Sequence, residues 1–168
     1  MKRNVKPVRV GDLTLNGEKI YIQSMLNVEA HKTEESVRQA KELEAAGCEI
    51  IRAAIPDMED VKLVYALKEA VNIPVVADIH FDYRLAIACA EAGIDKIRIN
   101  PGNIGGEDKV KAVVKACTAR GIPIRIGVNG GSLEKELLAK YGRGTPEALV
   151  EKAPCAMYIF SKPAILTI

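Results

Sequence analysis

The sequence predicts an α/β fold: a partial TIM-type (β/α) barrel with about five parallel βα units and an N-terminal β-hairpin. Short apolar runs alternate with helix-like stretches, and the runs begin about 22–30 residues apart, which is the size of a βα unit. The helix-like stretches close on Ala-Gly or Arg-Gly, as at Ala46-Gly47 and Arg120-Gly121. The chain has 168 residues, whereas a closed eight-stranded barrel needs roughly 250, so we expect only part of a barrel.

The elements follow in order along the chain. Two apolar runs, Val8–Val10 and Leu13–Leu15, flank Gly11-Asp12 and predict a hairpin that caps the amino-terminal end of the barrel. Five strands are predicted at Tyr21–Met25, Ile50–Ile55, Pro74–Ile79, Lys96–Asn100 and Pro123–Asn129. Five helices are predicted at Thr33–Ala46, Met58–Ala70, Tyr83–Ala92, Glu107–Arg120 and Ser132–Tyr141. Such units form a barrel or an open doubly wound sheet, and the first strand lacks the Gly-x-Gly-x-x-Gly of dinucleotide-binding open sheets.

Composition and charge are typical of a globular domain. Apolar residues make up 48% and charged residues 27%, and a net charge of +2 gives no reason to expect nucleic acid as a partner. No apolar run reaches the ~18 residues of a membrane helix, and no apolar segment of a signal peptide follows the basic start. We therefore expect no membrane partner and a cytoplasmic location. The cysteines form no Cys-x-x-Cys pair and are expected as buried, reduced thiols: Cys48, Cys89, Cys117 and Cys155.

Polar residues interrupt the apolar strands near their carboxyl ends. They are Arg52, then Asp78 and His80, then Arg98 and Asn100, then Arg125 and Asn129. Because side chains alternate with period two along a strand, both members of each pair lie on one face. The carboxyl ends of parallel strands are where such folds carry their active sites.

Three arginines on neighbouring strands predict an anion site, because three guanidinium groups are costly to desolvate together without an anion. Guanidinium groups bind phosphate oxygens in pairs, so a diphosphate suits such a site. Two glycine-rich loops, 100–106 and 127–132, follow the fourth and fifth strands and precede helices. Their backbone N–H groups can approach an anion at a helix start.

Each of these features also has a structural interpretation. An arginine taken alone can be a solvated or salt-bridged strand end, and glycine pairs also occur in plain turns. His80 can be a hydrogen-bonded structural histidine. With Asp78 on the same face, it can also take part in proton transfer or orientation.

Four motifs resemble the barrel domain of the 4-hydroxy-3-methylbut-2-enyl diphosphate synthase family. They are IQSM (22–25), VADIHFD (76–82), IRINPGNIG (97–105) and IRIGVNGGSLEK (124–135). The resemblance runs from about residue 5 to residue 153, and four long motifs in order make it very specific.

The resemblance implies reductive ring opening and dehydration of 2-C-methyl-D-erythritol 2,4-cyclodiphosphate in the non-mevalonate isoprenoid pathway. It implies that reduced flavodoxin or ferredoxin supplies two electrons through a [4Fe-4S] cluster, and that the full-length enzyme is a homodimer. It further implies that the cyclic diphosphate binds to Arg52, Asp78, His80, Arg98, Asn100, Asn103, Arg125, Asn129 and Ser132.

The chain departs from the family pattern in several places. The family's cluster ligands, three cysteines and a glutamate, belong to a C-terminal domain with no counterpart here, so we expect this chain to bind no cluster and to be inactive alone. The last three barrel strands, one of which carries a substrate-binding lysine, are also missing. Leu26-Asn27-Val28 stands where Thr-Asn-Thr is more usual, which puts contacts from that loop in doubt.

We expect residues 1–153 to belong to the barrel and residues 154–168 to be a tail outside the family pattern. Pro154 would break the helix that begins near Thr145-Pro146. A frameshift would explain the tail, because codons allowed for residues 155–168, read two bases later, can give a sequence that resembles the family's continuation. The alternative is a natural short protein with a divergent C-terminal strand.

Two other functions stay open at this point. The chain can be a stand-alone phosphate- or diphosphate-binding half-barrel that needs a partner chain. It can also be part of another barrel enzyme, such as a pterin-type synthase, although the sequence contains no recognisable pterin motif.

Overall fold

A computed structural model describes residues 6–127, 135–151 and 166–167. Its strands are β1 Val8–Val10, β2 Leu13–Leu15, β3 Gln23–Met25, β4 Ile50–Ala54, β5 Val75–Ile79, β6 Lys96–Ile99, β7 Ile124–Ile126 and β8 Leu166–Thr167. Its helices are α1 Thr33–Ala45, α2 Val61–Ala70, α3 Tyr83–Glu91, α4 Pro101–Ile104, α5 Glu107–Thr118 and α6 Lys135–Tyr141, and residues 146–151 are also helical.

The strands form a parallel sheet whose order is the order of the chain, β3-β4-β5-β6-β7-β8. Helices connect β3 through β7, as the spacing of the apolar runs predicts. β8, which pairs in parallel with β7, is not among the five predicted strands, although a C-terminal strand belongs to the alternative interpretation of the tail. The prediction of about five parallel βα units is confirmed.

The main core lies between the helices and one face of the sheet. The side chains of Ile97, Ile99 and Ile124 are buried in this core together with Leu67 of α2 and Val113 of α5. Alternation along the strands directs the residues between them to the opposite face. We call that opposite face, which carries Arg52, Asp78, Lys96, Arg98 and Arg125, the inner face.

The N-terminal hairpin covers the amino ends of the strands. β1 and β2 pair antiparallel, with Val8 opposite Leu15. Gly11 at its turn has φ +55°, and a Cβ there would lie 2.9 Å from Pro74 Cγ and 3.2 Å from Asp95 Oδ1. Pro74 and Asp95 directly precede β5 and β6, so the predicted cap is confirmed.

Two element boundaries differ from the prediction for local reasons. α2 begins at Val61 rather than at Met58, because the Asp57 carboxylate accepts hydrogen bonds from the backbone N–H groups of Glu59 and Asp60 and holds a turn there. The predicted loop after β6 contains a helical turn, α4. Asn100 caps this turn, and Pro101 occupies its first position.

Candidate functional site

A buried carboxylate on β5 joins the polar residues of three strands. The Asp78 side chain is 1% exposed, and its Oδ2 accepts a hydrogen bond from Arg52 Nε at 3.1 Å and a second from Arg52 Nη2. Its Oδ1 accepts from Arg98 Nη1 at 3.1 Å. The parallel register places Asp78 opposite Arg98 and Arg98 opposite Arg125, so all three lie at one level of the sheet.

His80 lies beside the same carboxylate, as the alternation predicts. Its Nε2 atom is 3.5 Å from Asp78 Oδ2, and its side chain is 46% exposed. The neighbouring Phe81 is an exposed aromatic residue whose ring centroid lies 6.1 Å from that of His80. The imidazole is therefore near both the buried anion and solvent, and its role in proton transfer or orientation stays a prediction.

Asn100 and Asn103 lie at the helical turn that follows β6. Asn100 is buried, and its Oδ1 accepts from the Gly102 N–H at 3.2 Å, while its backbone carbonyl accepts from the N–H groups of Asn103 and Ile104. The Asn100 side chain thus holds the turn in shape. Asn103 is half-buried within it. Binding of a ligand by either amide stays a prediction.

Arg125 and Lys96 differ from the arginines that contact Asp78. Arg125 is exposed, and no carboxylate within the ranges described pairs with it. Lys96 is 6% exposed, and none of the described side chains accepts a hydrogen bond from its ammonium. Burial, and then the nearby charge of Arg125, lower the pKa of Lys96. Our sequence prediction omitted Lys96, although it lies two residues before Arg98 and alternation puts it on the same face.

The inner face is therefore strongly cationic. In the part of the chain that the structure describes, Arg52, Lys96, Arg98 and Arg125 share this face with a single carboxylate, Asp78. Two of the predicted site residues, Asn129 and Ser132, lie outside the described residues, as does the tail from 152 to 165. An anion with more than one negative charge would balance this face.

The described residues do not suit an iron–sulfur cluster. Cys48, Cys89 and Cys117 are buried free thiols, which confirms the sequence prediction for these three. Burial raises the pKa of Cys89 and of Cys117 to about 12, so both hold their protons, whereas cluster ligands are thiolates. Within the described ranges, no three His, Cys, Asp or Glu side chains come together as metal ligands. No described helix has the length and apolar character to cross a bilayer.

The sequence model of the GcpE TIM-barrel domain matches residues 5–165. The chain belongs to the GcpE TIM-barrel domain family. Among its relatives is a 4-hydroxy-3-methylbut-2-en-1-yl diphosphate synthase (flavodoxin) of Macrococcus caseolyticus, 55% identical over 153 residues, or 90% of this chain and 41% of the relative. The synthase of the same name from Caldanaerobacter subterraneus is 52% identical over 163 residues, or 96% of this chain and 46% of the relative. The predicted family resemblance is confirmed, and the chain spans less than half the length of these relatives.

Solved structures agree on the fold. A dihydropteroate synthase of Xanthomonas albilineans superposes with a TM-score of 0.64 at 13% identity, covering 95% of this chain and 62% of its own. The dihydropteroate synthase of Stenotrophomonas maltophilia gives 0.64 at 16% identity, covering 96% of this chain and 64% of its own. At these identities the likeness concerns the fold alone, and it confirms the TIM-type prediction.

Proposed function

We propose that this chain forms the diphosphate-binding part of a 4-hydroxy-3-methylbut-2-en-1-yl diphosphate synthase in non-mevalonate isoprenoid biosynthesis. Its ligand is 2-C-methyl-D-erythritol 2,4-cyclodiphosphate, which the complete enzyme opens reductively and dehydrates. The observation that carries the proposal is the cationic inner face, where Arg125 and Lys96 have no carboxylate partner within the described ranges. Relatives that are 52–55% identical and carry this name support the choice of substrate.

In this proposal Asp78 arranges the binding groups before the ligand arrives. A guanidinium group has five N–H donors, and Asp78 accepts two from Arg52 and one from Arg98. The Asp78 carboxylate therefore fixes the planes of both guanidinium groups. It leaves their other N–H donors for phosphate oxygens. No described carboxylate neutralises the charge of Arg125, so this charge is assigned to the ligand in the proposal. His80, at the exposed edge, is the group placed to orient or protonate the ligand.

The remaining parts of the reaction belong to the complete enzyme in this proposal. A [4Fe-4S] cluster supplies the electron-transfer chemistry there, with reduced flavodoxin or ferredoxin as donor and a homodimer as the assembly. The described residues of this chain offer no ligand set for the cluster, so their part is binding. Asn129 and Ser132 are proposed as further ligand contacts from the segment after β7.

Titration calorimetry of the chain with the cyclic diphosphate tests the proposal. We expect Arg98→Ala and Arg125→Ala each to weaken binding by about 1.5–3 kcal/mol, roughly 10- to 150-fold, because each removes a charge-assisted hydrogen bond. Arg120→Ala is the matched control, because Arg120 lies between α5 and β7 beside the hairpin end of the sheet, near Arg9 and Gly11. Unchanged affinity in both test variants, or an equal loss in the control, would contradict the assignment.

A parallel titration with inorganic diphosphate distinguishes the synthase from the stand-alone diphosphate-binding module. Tighter binding of the cyclic diphosphate favours the synthase. Equal binding of both compounds favours the stand-alone diphosphate-binding module, which needs no contact with the carbon skeleton.

A further inference from the structure

The residue that follows β7 is in unusually close contact with Arg98. The Gly127 N–H donates to the carbonyl of Ile99 at 2.8 Å, so the parallel pairing with β6 continues to this residue. A Cβ at Gly127 would lie 2.5 Å from both Nε and Nη2 of Arg98 and 2.8 Å from its Cζ. Real Cβ atoms essentially never come within 3.0 Å of another heavy atom in this way. The Arg98 guanidinium therefore occupies the volume that any other side chain would fill.

The backbone does not explain why residue 127 is glycine. Gly127 is not among the described glycines with positive φ, so its conformation is open to L-residues. Gly121 shows the opposite case, because its φ is +66° and a Cβ there would meet nothing within 4 Å. Gly121 is thus explained by its turn, whereas Gly127 is explained by the guanidinium beside it.

The two ends of the Arg98 guanidinium have different neighbours. Nη1 donates to Asp78, and the Nε and Nη2 atoms lie against Gly127. This edge packs against the backbone of residue 127, so the other N–H groups of the guanidinium are the ones left for a phosphate or carboxylate. The position of the guanidinium therefore depends on the missing side chain at residue 127.

We propose that Gly127 is a positioning residue of the anion site: its lack of a side chain lets the Nε and Nη2 edge of Arg98 lie against β7, and so sets where the guanidinium presents its other N–H donors to a diphosphate. The inference rests on the proposed function. A methyl group at residue 127 displaces the guanidinium by about 0.5 Å or more, which is the tolerance within which binding groups must be held. Because the clashing atoms end a flexible side chain, the guanidinium moves while the strand stays in place.

A double-mutant cycle with inorganic diphosphate tests this role. Four chains are compared by calorimetry: wild type, Gly127→Ala, Arg98→Ala and the double variant. We expect Gly127→Ala to weaken binding roughly tenfold in the wild-type background and to change nothing in the Arg98→Ala background, since the effect passes through the guanidinium. Equal losses in the two backgrounds, or no loss in either, would overturn the proposal.

Two further readouts keep the test decisive. If Gly127→Ala fails to fold, the double variant must fold as well as Arg98→Ala does, since both lack the clashing guanidinium. A double variant that fails to fold where Arg98→Ala folds contradicts the proposal. If wild type does not bind diphosphate, the proposed function fails. The contact is then tested by NMR: the Arg98 Nε–Hε resonance must shift in Gly127→Ala, and an unchanged resonance rejects the positioning role.

Discussion

Arg98 and Arg125 lie opposite each other on neighbouring strands, but their surroundings differ. Arg98 is largely buried and donates to the Asp78 carboxylate, whereas Arg125 is exposed and has no carboxylate partner within the described ranges. The proposed function therefore gives the first arginine a role in the fold as well as in ligand binding, and it gives the second a role in ligand binding alone. Identical side chains at one level of a sheet can thus have separable roles, and the following variants test how far that separation goes.

We expect the largest effect on stability when the carboxylate that Arg52 and Arg98 share is removed. Asp78→Ala leaves two partly buried guanidinium groups without their common partner, and we expect the free energy of unfolding to fall by about 3–5 kcal/mol. Urea unfolding followed by circular dichroism measures this. The control is Asp12→Ala, a 95% exposed carboxylate paired with Arg9 at 3.7 Å, which should leave stability unchanged. A loss no greater than the control's would mean that Asp78 does not hold the arginines.

The second effect separates the two arginines directly. Arg98→Met should lower the free energy of unfolding by about 1.5–3 kcal/mol, because Asp78 then loses a charge-assisted hydrogen bond while staying buried. Arg125→Met should cause no such loss, because no described carboxylate depends on it. Both variants should bind the cyclic diphosphate more weakly. Equal effects of the two substitutions on stability would remove the distinction between the two arginines.

The smallest effect concerns Lys96, whose amine is buried near Arg125. Its pKa is lowered from the ordinary value of 10.5 by burial first and by Arg125 second, so the folded chain holds this proton less tightly than the unfolded chain. The free energy of unfolding therefore carries no penalty from Lys96 above the ordinary pKa of the amine. The penalty grows as the pH falls from that value through the lowered pKa of the folded chain. Lys96→Met removes this loss, so we expect the variant to be more stable than wild type at pH 7.

The pH dependence of that gain is the specific test. The advantage of Lys96→Met should shrink as the pH rises from 7 towards 10.5, where the wild-type amine loses its charge in both states. Denaturant titrations at pH 7 and pH 10 measure it. Lys62→Met, at an exposed position of α2, should show no change between the two pH values. A gain that is constant with pH would show that packing, rather than charge, is responsible.

Most of the fold could be predicted because its signals are local. The apolar runs, together with the Ala-Gly or Arg-Gly helix ends before β4, β6 and β7, locate β4 to β7 and their helices to within a few residues. The α4 turn was missed although Asn100 and Pro101 are a known capping pair, because a glycine-rich loop was the simpler interpretation. Two residues at Leu166–Thr167 carry too little pattern to predict a strand.

The sequence predicts which side chains of the site share one face of the sheet, but it does not predict which of them form ion pairs. Alternation correctly gathers Asp78, His80 and Arg98 on one face, yet it does not show which guanidinium reaches the carboxylate. Asp78 accepts from Arg52 as well, so two of the three predicted arginines already have an internal anion. Lys96 was missed although the same alternation places it on the face of Arg98. Gly127 was missed because its importance depends on Arg98 across the sheet, which no spacing along the chain reveals.

The strand order of the sheet also bears on how the chain folds during its synthesis. From β3 to β7, each strand pairs with the strand made just before it, so none must wait for a distant partner. At roughly 5–20 residues per second, a ribosome releases a βα unit of about 25 residues every few seconds, whereas a helix forms within about a microsecond. Each helix therefore has time to form before the next unit emerges, and each strand from β4 to β7 pairs with a strand that has already been translated.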